Sequence, residues 1–191
     1  MFPIFDGDNG ENLKDYDDLT ANENLKKWVT EPPNAYCNSK FILDFDFPGH
    51  LRNYFRWKVS YERNELEHFI SQYAGRKIGS LFEILPSLRN HSGRIQEVEI
   101  LASDTNLTIT GEREICKSLS EKGLPSTCFY VEPQLDADGF PLSFTFYGAG
   151  FGNGAGLCQA GAYNMALKGA SYDEILKHYF RNINIKKIYE D

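Results

Sequence analysis

Cysteine is scarce and scattered. Cys37, Cys116, Cys128 and Cys158 are spread over 191 residues with no C-x-x-C pair and no histidine at ligand spacing beside them. A structural zinc site needs thiolates or imidazoles paired closely in sequence, so no metal centre is expected. The thiols are expected to be buried, with one disulfide open to them in an oxidising compartment. An excess of positive charge is also lacking: 20 Lys and Arg stand against 27 Asp and Glu, and no basic stripe occurs. The net charge of -7 excludes sequence-independent nucleic-acid binding, which depends on clustered cations displacing counterions. No apolar run reaches the roughly 18 residues of a membrane span. The opening MFPIFDGDNGENLKDYDDL has no cationic stretch leading into an apolar one, so no signal peptide is read there. Internal repeats and low-complexity tracts are missing too, which argues against a solenoid.

What is present is enough to build a core. With 41% hydrophobic and 14% aromatic residues, the chain is expected to form one domain over residues 1–191, with residues 1–19 irregular. Thr20 and Glu23 have capping-box spacing before a helix whose apolar face is Leu25, Trp28 and Val29. EPPNAYCNS then reads as a loop. Residues 55–62 alternate Phe, Trp, Val and Tyr with polar residues, a half-buried strand. Residues 63–73 follow as a helix with Leu66, Phe69, Ile70 and Tyr73 on one face.

SGRIQEVEILAS and NLTITG read as an antiparallel pair, with Ile95, Val98 and Ile100 inward and a turn at 104–106. EREICKSLSEKG predicts a short helix stopped by Gly123. TCFYVEP and PLSFTFYG predict two more strands, joined by a turn at Asp138 and Gly139. The fold class is therefore α+β, mixed and mainly antiparallel, ending in a pair of helices after a glycine-rich loop. The second of these helices starts at a capping box of Ser171 and Glu174, with Tyr172, Ile175, Leu176 and Tyr179 expected to pack inward.

The glycine-rich loop is the most informative stretch. Gly148, Gly150, Gly152, Gly154 and Gly156 recur at every second position and run into the helix that begins near Gly156. Glycine at that spacing weakens regular structure and permits close backbone approach. A dinucleotide fingerprint fits only in part, because Asn153 stands at its third glycine and no acidic ribose partner follows in a second strand. Ala160, Gly161 and Ala162 permit a second backbone to come close. Gln159 can hydrogen-bond a sugar hydroxyl or amide, or equally tie down the loop. His178 near a helix end chiefly complements the helix dipole.

Residues 148–180, GAGFGNGAGLCQAGAYNMALKGASYDEILKHYF, resemble the signature of the stage II sporulation protein D family, the SpoIID/LytB domain. That signature runs G-x-G-x-G-H-G-V-G-M/L-S/C-Q-x-G-A, then M-A-x-x-G, then Y-x-x-I-L-x-H-Y-Y/F-x-G. Upstream, RWKVSYERNEL is similar to its W-x-V…E-L element, SGRIQEVEI to its S-G-R strand, and REICKSL with LPSTCFYV to its R-x-x-L and S-x-x-F segments. ENLKKWVTEPPNAYCN resembles the form carried by Bacteroidetes-type members. The likeness runs from about Thr20 onward.

The resemblance implies peptidoglycan glycan strands as the partner, a place in the cell envelope outside the cytoplasm, and lytic transglycosylase chemistry of the kind used in sporulation. It implies no cofactor. Two positions depart in ways that matter. Asn153 replaces the family histidine, keeping a hydrogen-bonding side chain but losing a group that titrates near neutrality. Asn182 replaces the closing glycine, which is mild because Asn also tolerates the left-handed conformation at a helix end. One departure is severe. The family's catalytic glutamate lies in a V-x-x-E-M segment followed by a helix and a C-G-G-x-T-E segment, and none of these is found here. The chain is thus expected to correspond to the C-terminal two-thirds of the family domain, with the catalytic residue unknown. Cys37 is a candidate to pair with a cysteine of the missing segment. Glu97, Glu99, Glu132 and Asp138 are expected on the solvated surface.

On this reading Gly150, Gly152, Asn153, Gly154, Gly156 and Gln159 shape a groove for an N-acetylated sugar, and glycan binding outlasts catalysis. The alternative is a non-catalytic glycan- or partner-binding module, one half of a split protein that assembles with a separate N-terminal half or another cell-wall protein.

Overall fold

The structure, a computed structural model, describes residues 18–38, 49, 53–186 and 188. The irregular segment expected over residues 1–19 lies outside them apart from its last two positions. In chain order the elements are α1 (Asn22–Thr30), β1 (Arg56–Glu62), α2 (Arg63–Ala74), β2 (Leu81–Arg89), β3 (Ile95–Ala102), β4 (Asn106–Thr110), α3 (Glu112–Ser118), β5 (Phe129–Leu135), β6 (Pro141–Ala149), α4 (Gln159–Leu167) and α5 (Tyr172–Tyr179). Two antiparallel three-stranded sheets, ordered β1-β6-β5 and β2-β3-β4, make this an α+β fold.

The side-chain alternation of β6 sets the layering, because successive residues of a strand face opposite sides of the sheet. Phe144 and Phe146 point into the main core, where they meet Phe129, Leu66 and Ile70 of α2, Ile115 of α3 and the buried face of β3. Tyr147 and Ala149 point the other way, against Leu25, Trp28 and Val29 of α1. Both faces of the first sheet are therefore covered. Ile95, Val98 and Ile100 are fully buried, as their spacing predicts, and each such side chain contributes roughly 1.5–3 kcal/mol of burial. Arg56 ties α1 to β1: its guanidinium donates to the Val29 and Trp28 carbonyls at 3.2 and 2.7 Å and stacks 4.1 Å from the Trp28 ring.

β2 has no counterpart in the sequence reading. Its sequence, LFEILPSLR, carries Pro86 in the middle, and proline cannot donate to a ladder, which hides a strand from pattern reading. The proline is accommodated because β2 is an edge strand, and the register with β3 slips between Pro86 and Leu88.

Other boundaries differ for local reasons. The expected Thr20–Glu23 capping box does not form; α1 starts after Ala21, and the Thr20 backbone and hydroxyl donate to the Asp18 carboxylate instead. α3 ends at Ser118, well before Gly123, which sits in a turn where its N–H donates to the Ser120 carbonyl. Tyr73 and Tyr172, expected inward, are 41% and 72% exposed. The Ser171–Glu174 box forms in full, with both reciprocal bonds. Asn182 takes φ +55°, the left-handed conformation that asparagine tolerates better than most residues.

Candidate functional site

The alternate glycines after β6 serve two different physical ends. Gly148, still in the strand, is registered opposite Trp57, and a methyl group there would lie 2.1 Å from the indole Cζ2. It is glycine so that Trp57 can lie across β6. Gly150, Gly152, Gly154 and Gly156 instead have φ of +74°, +76°, +69° and +83°, a region costly to any residue with a Cβ.

A backbone of this kind has little of its own to hold it, and the neighbouring elements supply the bracing. The Gly150 N–H donates to the Phe55 carbonyl at 3.2 Å and the Gly152 N–H to the Pro125 carbonyl at 2.8 Å. Trp57 Nε1 donates to the Gly150 carbonyl at 3.0 Å. Arg94 reaches the Gly152 carbonyl through Nε and Nη2, each at 3.4 Å. Residues 151–155 are left exposed on the outer side.

Arg94 is the central brace, and only the S-G-R resemblance hinted at it. It follows a turn organised by Asn90, whose Oδ1 accepts from the backbone N–H groups of Ser92 and Arg94 at 2.9 and 3.1 Å. The side chain is buried beneath the loop. A methyl group on Gly154 would sit 2.2 Å from its Cζ, so glycine there makes room for the guanidinium. A buried cation needs a partner. Glu112 Oε2 lies 3.8 Å from Arg94 Nε, and Gln96 Nε2 holds the other carboxylate oxygen at 3.1 Å.

The residues singled out from sequence divide as follows. Gly150, Gly152, Gly154 and Gly156 form the loop. Asn153 is exposed, and its Oδ1 accepts from the Ala155 N–H at 3.1 Å, an Asx-turn. Gln159 is exposed in the first turn of α4 and makes no bond to the loop among the described residues, so its loop-tying role falls away. Phe151, unremarked in the sequence reading, is 60% exposed. Its ring stacks on Tyr54 at 4.1 Å with an interplanar angle of 25°. An aromatic residue set between exposed glycines was the available signal. Among the acids, Glu132 pairs with Lys26, Glu97 accepts from Ser87 and Thr110, and Asp138 is exposed; neither these nor Glu99 is buried.

Behind the loop, α4 and α5 pack through small residues. The Tyr179 hydroxyl occupies the place of a side chain on Gly161, and Asn164 Nδ2 donates to the Tyr36 carbonyl at 2.8 Å. His178, in the last turn of α5, meets Tyr36 edge-on at 5.6 Å. The loop before residue 39 thereby carries Cys37 to Cys158, the N-cap of α4, where both side chains pack on Ala160. The Cys158 thiol is lowered to about 6, first by the Cys37 thiol and then by the Gly161 and Ala160 N–H groups, against the opposing effect of burial. Cys37 is pushed up by that same contact and by burial. Cysteine far apart in sequence gave no sign of this pairing. Among the described residues no three His, Cys, Asp or Glu side chains gather to hold a metal ion, and no helix is long and apolar enough to cross a membrane.

The chain is 30% identical over 129 residues to an uncharacterized protein of Brachyspira hyodysenteriae, a match covering 68% of this chain and 32% of that protein. The chain thus spans about a third of the relative's length. The family model described as Domain of unknown function (DUF8618) matches residues 4–156, from ahead of α1 to the last of the alternate glycines. With most of its length matched, the chain belongs to the DUF8618 family.

Proposed function

We propose that this chain carries the glycan-contacting face of a SpoIID/LytB-type peptidoglycan domain, with the loop over residues 150–156, Asn153 and Gln159 as the contact surface. The observation that carries this reading is the bracing of an exposed glycine backbone by the buried Arg94 and the half-buried Trp57. Arg94 and Trp57 are committed to holding the Gly150 and Gly152 carbonyls, while residues 151–155 face solvent. An N-acetylated sugar offers an amide and hydroxyls that exchange hydrogen bonds with backbone groups and with carboxamides such as Asn153 and Gln159. Phe151 adds an apolar face on which a sugar ring can lie, and a few oriented polar groups beside an aromatic surface are the usual makings of a ligand site. The cell envelope is the compartment this reading implies.

Binding without cutting is the expected activity. Cleaving a glycosidic bond requires a carboxylic acid kept neutral to protonate the leaving oxygen; a lytic transglycosylase then uses the sugar's own 6-hydroxyl as nucleophile. The glutamate segment of the SpoIID signature has no match in these residues, and Glu112, the acid nearest the loop's brace, is engaged by Arg94 and Gln96. The test is incubation with purified peptidoglycan and with glycan strands stripped of stem peptides, reading co-sedimentation and anhydro-muropeptide release together. Sedimentation without release is expected. Failure to sediment beyond a heat-denatured control sinks the glycan reading, and release above that control means an acid within these residues performs the cleavage.

A second reading, a partner-binding module, is favoured by one observation. Phe82 at the start of β2 and Phe140 in the β5–β6 turn are 42% and 50% exposed with ring centroids 6.4 Å apart, an apolar pair of the kind that marks association.

A further inference from the structure

We propose that Cys37 and Cys158 are a thiol–disulfide exchange site, in which Cys158 attacks an external disulfide and Cys37 resolves the adduct to an internal disulfide between the two.

Geometry favours the pair. Cys158 is the N-cap of α4, and Cys37 lies in the loop that Asn164 of the same helix anchors through the Tyr36 carbonyl. The loop is closed on itself as well, the Asn38 N–H donating to the Ala35 carbonyl at 2.8 Å. Both cysteines pack on Ala160, and both are partly exposed. Backbone anchors on either side keep the two cysteines side by side on Ala160. The thiolate is the attacking species in exchange. Cys158 supplies it, because the Cys37 thiol and two helix N–H groups stabilise its negative charge.

The other two cysteines provide contrast. Cys128 is buried against the Ser92 carbonyl, and burial raises its thiol. Cys116 is pushed up by burial to about 11. Exchange is therefore directed to one sulfur of four.

The chemistry balances with a disulfide as the oxidant. Cys158 sulfur forms a bond to one sulfur of the external disulfide, and the second sulfur leaves as a thiolate. Cys37 gives up its proton and attacks Cys158 sulfur, expelling the first as a second thiolate. The two cysteines are oxidised and the external disulfide is reduced to two thiols. The product bond joins the loop before residue 39 to the head of α4, two residues after the last of the alternate glycines. This inference does not depend on the glycan reading.

The test uses the full chain and oxidised glutathione as the probe, with alkylation of remaining thiols and peptide mass spectrometry. The wild-type chain is expected to yield a Cys37–Cys158 cross-linked peptide while Cys116 and Cys128 remain alkylatable after unfolding. Cys37→Ser is expected to trap glutathione on Cys158, since nothing resolves the adduct. Cys158→Ser is expected to slow reaction at Cys37 about ten-fold or more, for want of a thiolate. Circular dichroism of both serine variants verifies that the fold is kept. Persistence of both thiols in alkylatable form in the wild-type chain overturns the proposal. So does a glutathione adduct on wild-type Cys158 that never closes onto Cys37.

Discussion

A methyl group on Gly161 would lie 2.1 Å from the Tyr179 hydroxyl, with the ring Cζ next at 3.4 Å. Alanine ordinarily gains about 1 kcal/mol over glycine within a helix, whereas overpacking a filled site costs about 1–3 kcal/mol. Whether Tyr179 can yield decides the sign. It is buried and meets His178 edge-on at 4.7 Å, so Gly161→Ala is expected to lower stability by about 1 kcal/mol in urea unfolding. Adding Tyr179→Phe removes the clashing oxygen and is expected to make the double variant more stable than Gly161→Ala alone; no such recovery would mean that the contact is not what requires glycine. The same logic distinguishes Gly148, which clears space for Trp57, from the four glycines with positive φ. Spacing alone made the five look equivalent. Their separate reasons depend on Trp57 and Arg94, which come from distant parts of the chain.

At the scale of elements, α5 was the most legible, because its start is written in four consecutive residues. Ser171 Oγ accepts from the Glu174 N–H at 3.3 Å, and the Glu174 carboxylate accepts from the Ser171 N–H at 2.7 Å and hydroxyl at 2.8 Å. Ser171→Ala is expected to cost about 1 kcal/mol of local stability, read as faster amide exchange in the first turn of α5. The bonds from the Ser171 backbone and hydroxyl hold the Glu174 carboxyl below its ordinary value of 4.5. Because the folded value is the lower one, this contribution is fully present above pH 4.5 and is lost as pH falls through the folded value. Acid below that range should therefore loosen α5 in the wild-type chain and change Glu174→Gln, which has no carboxyl to titrate, less; equal acid sensitivity in both would contradict the box. β2 was illegible for the opposite reason. Pro86 erases the strand pattern, and only the pairing of β2 with β3 makes an edge strand of it. α1 was found, but its cap was not, because Asp18 competes successfully for Thr20.

Across the whole molecule, the class, the two hairpins and the helix pair could be read from alternation and turn residues, since those signals are local. The core that joins both sheets to α2 and α3, the bracing of the glycine loop by Arg94, and the meeting of Cys37 with Cys158 are long-range and left little trace in the pattern. The glycine loop itself was identified from spacing and resemblance. What the fold adds is that its backbone is hydrogen-bonded from within and exposed without, with Phe151 close to Asn153 in the chain. This exposed stretch is the proposed glycan contact. The most direct test is backbone amide chemical-shift mapping of the full chain titrated with peptide-free glycan fragments. Saturable shifts concentrated at residues 150–156 and on the Asn153 and Gln159 side-chain amides are predicted. Shifts centred elsewhere, or none at concentrations where the chain co-sediments with peptidoglycan, would contradict it.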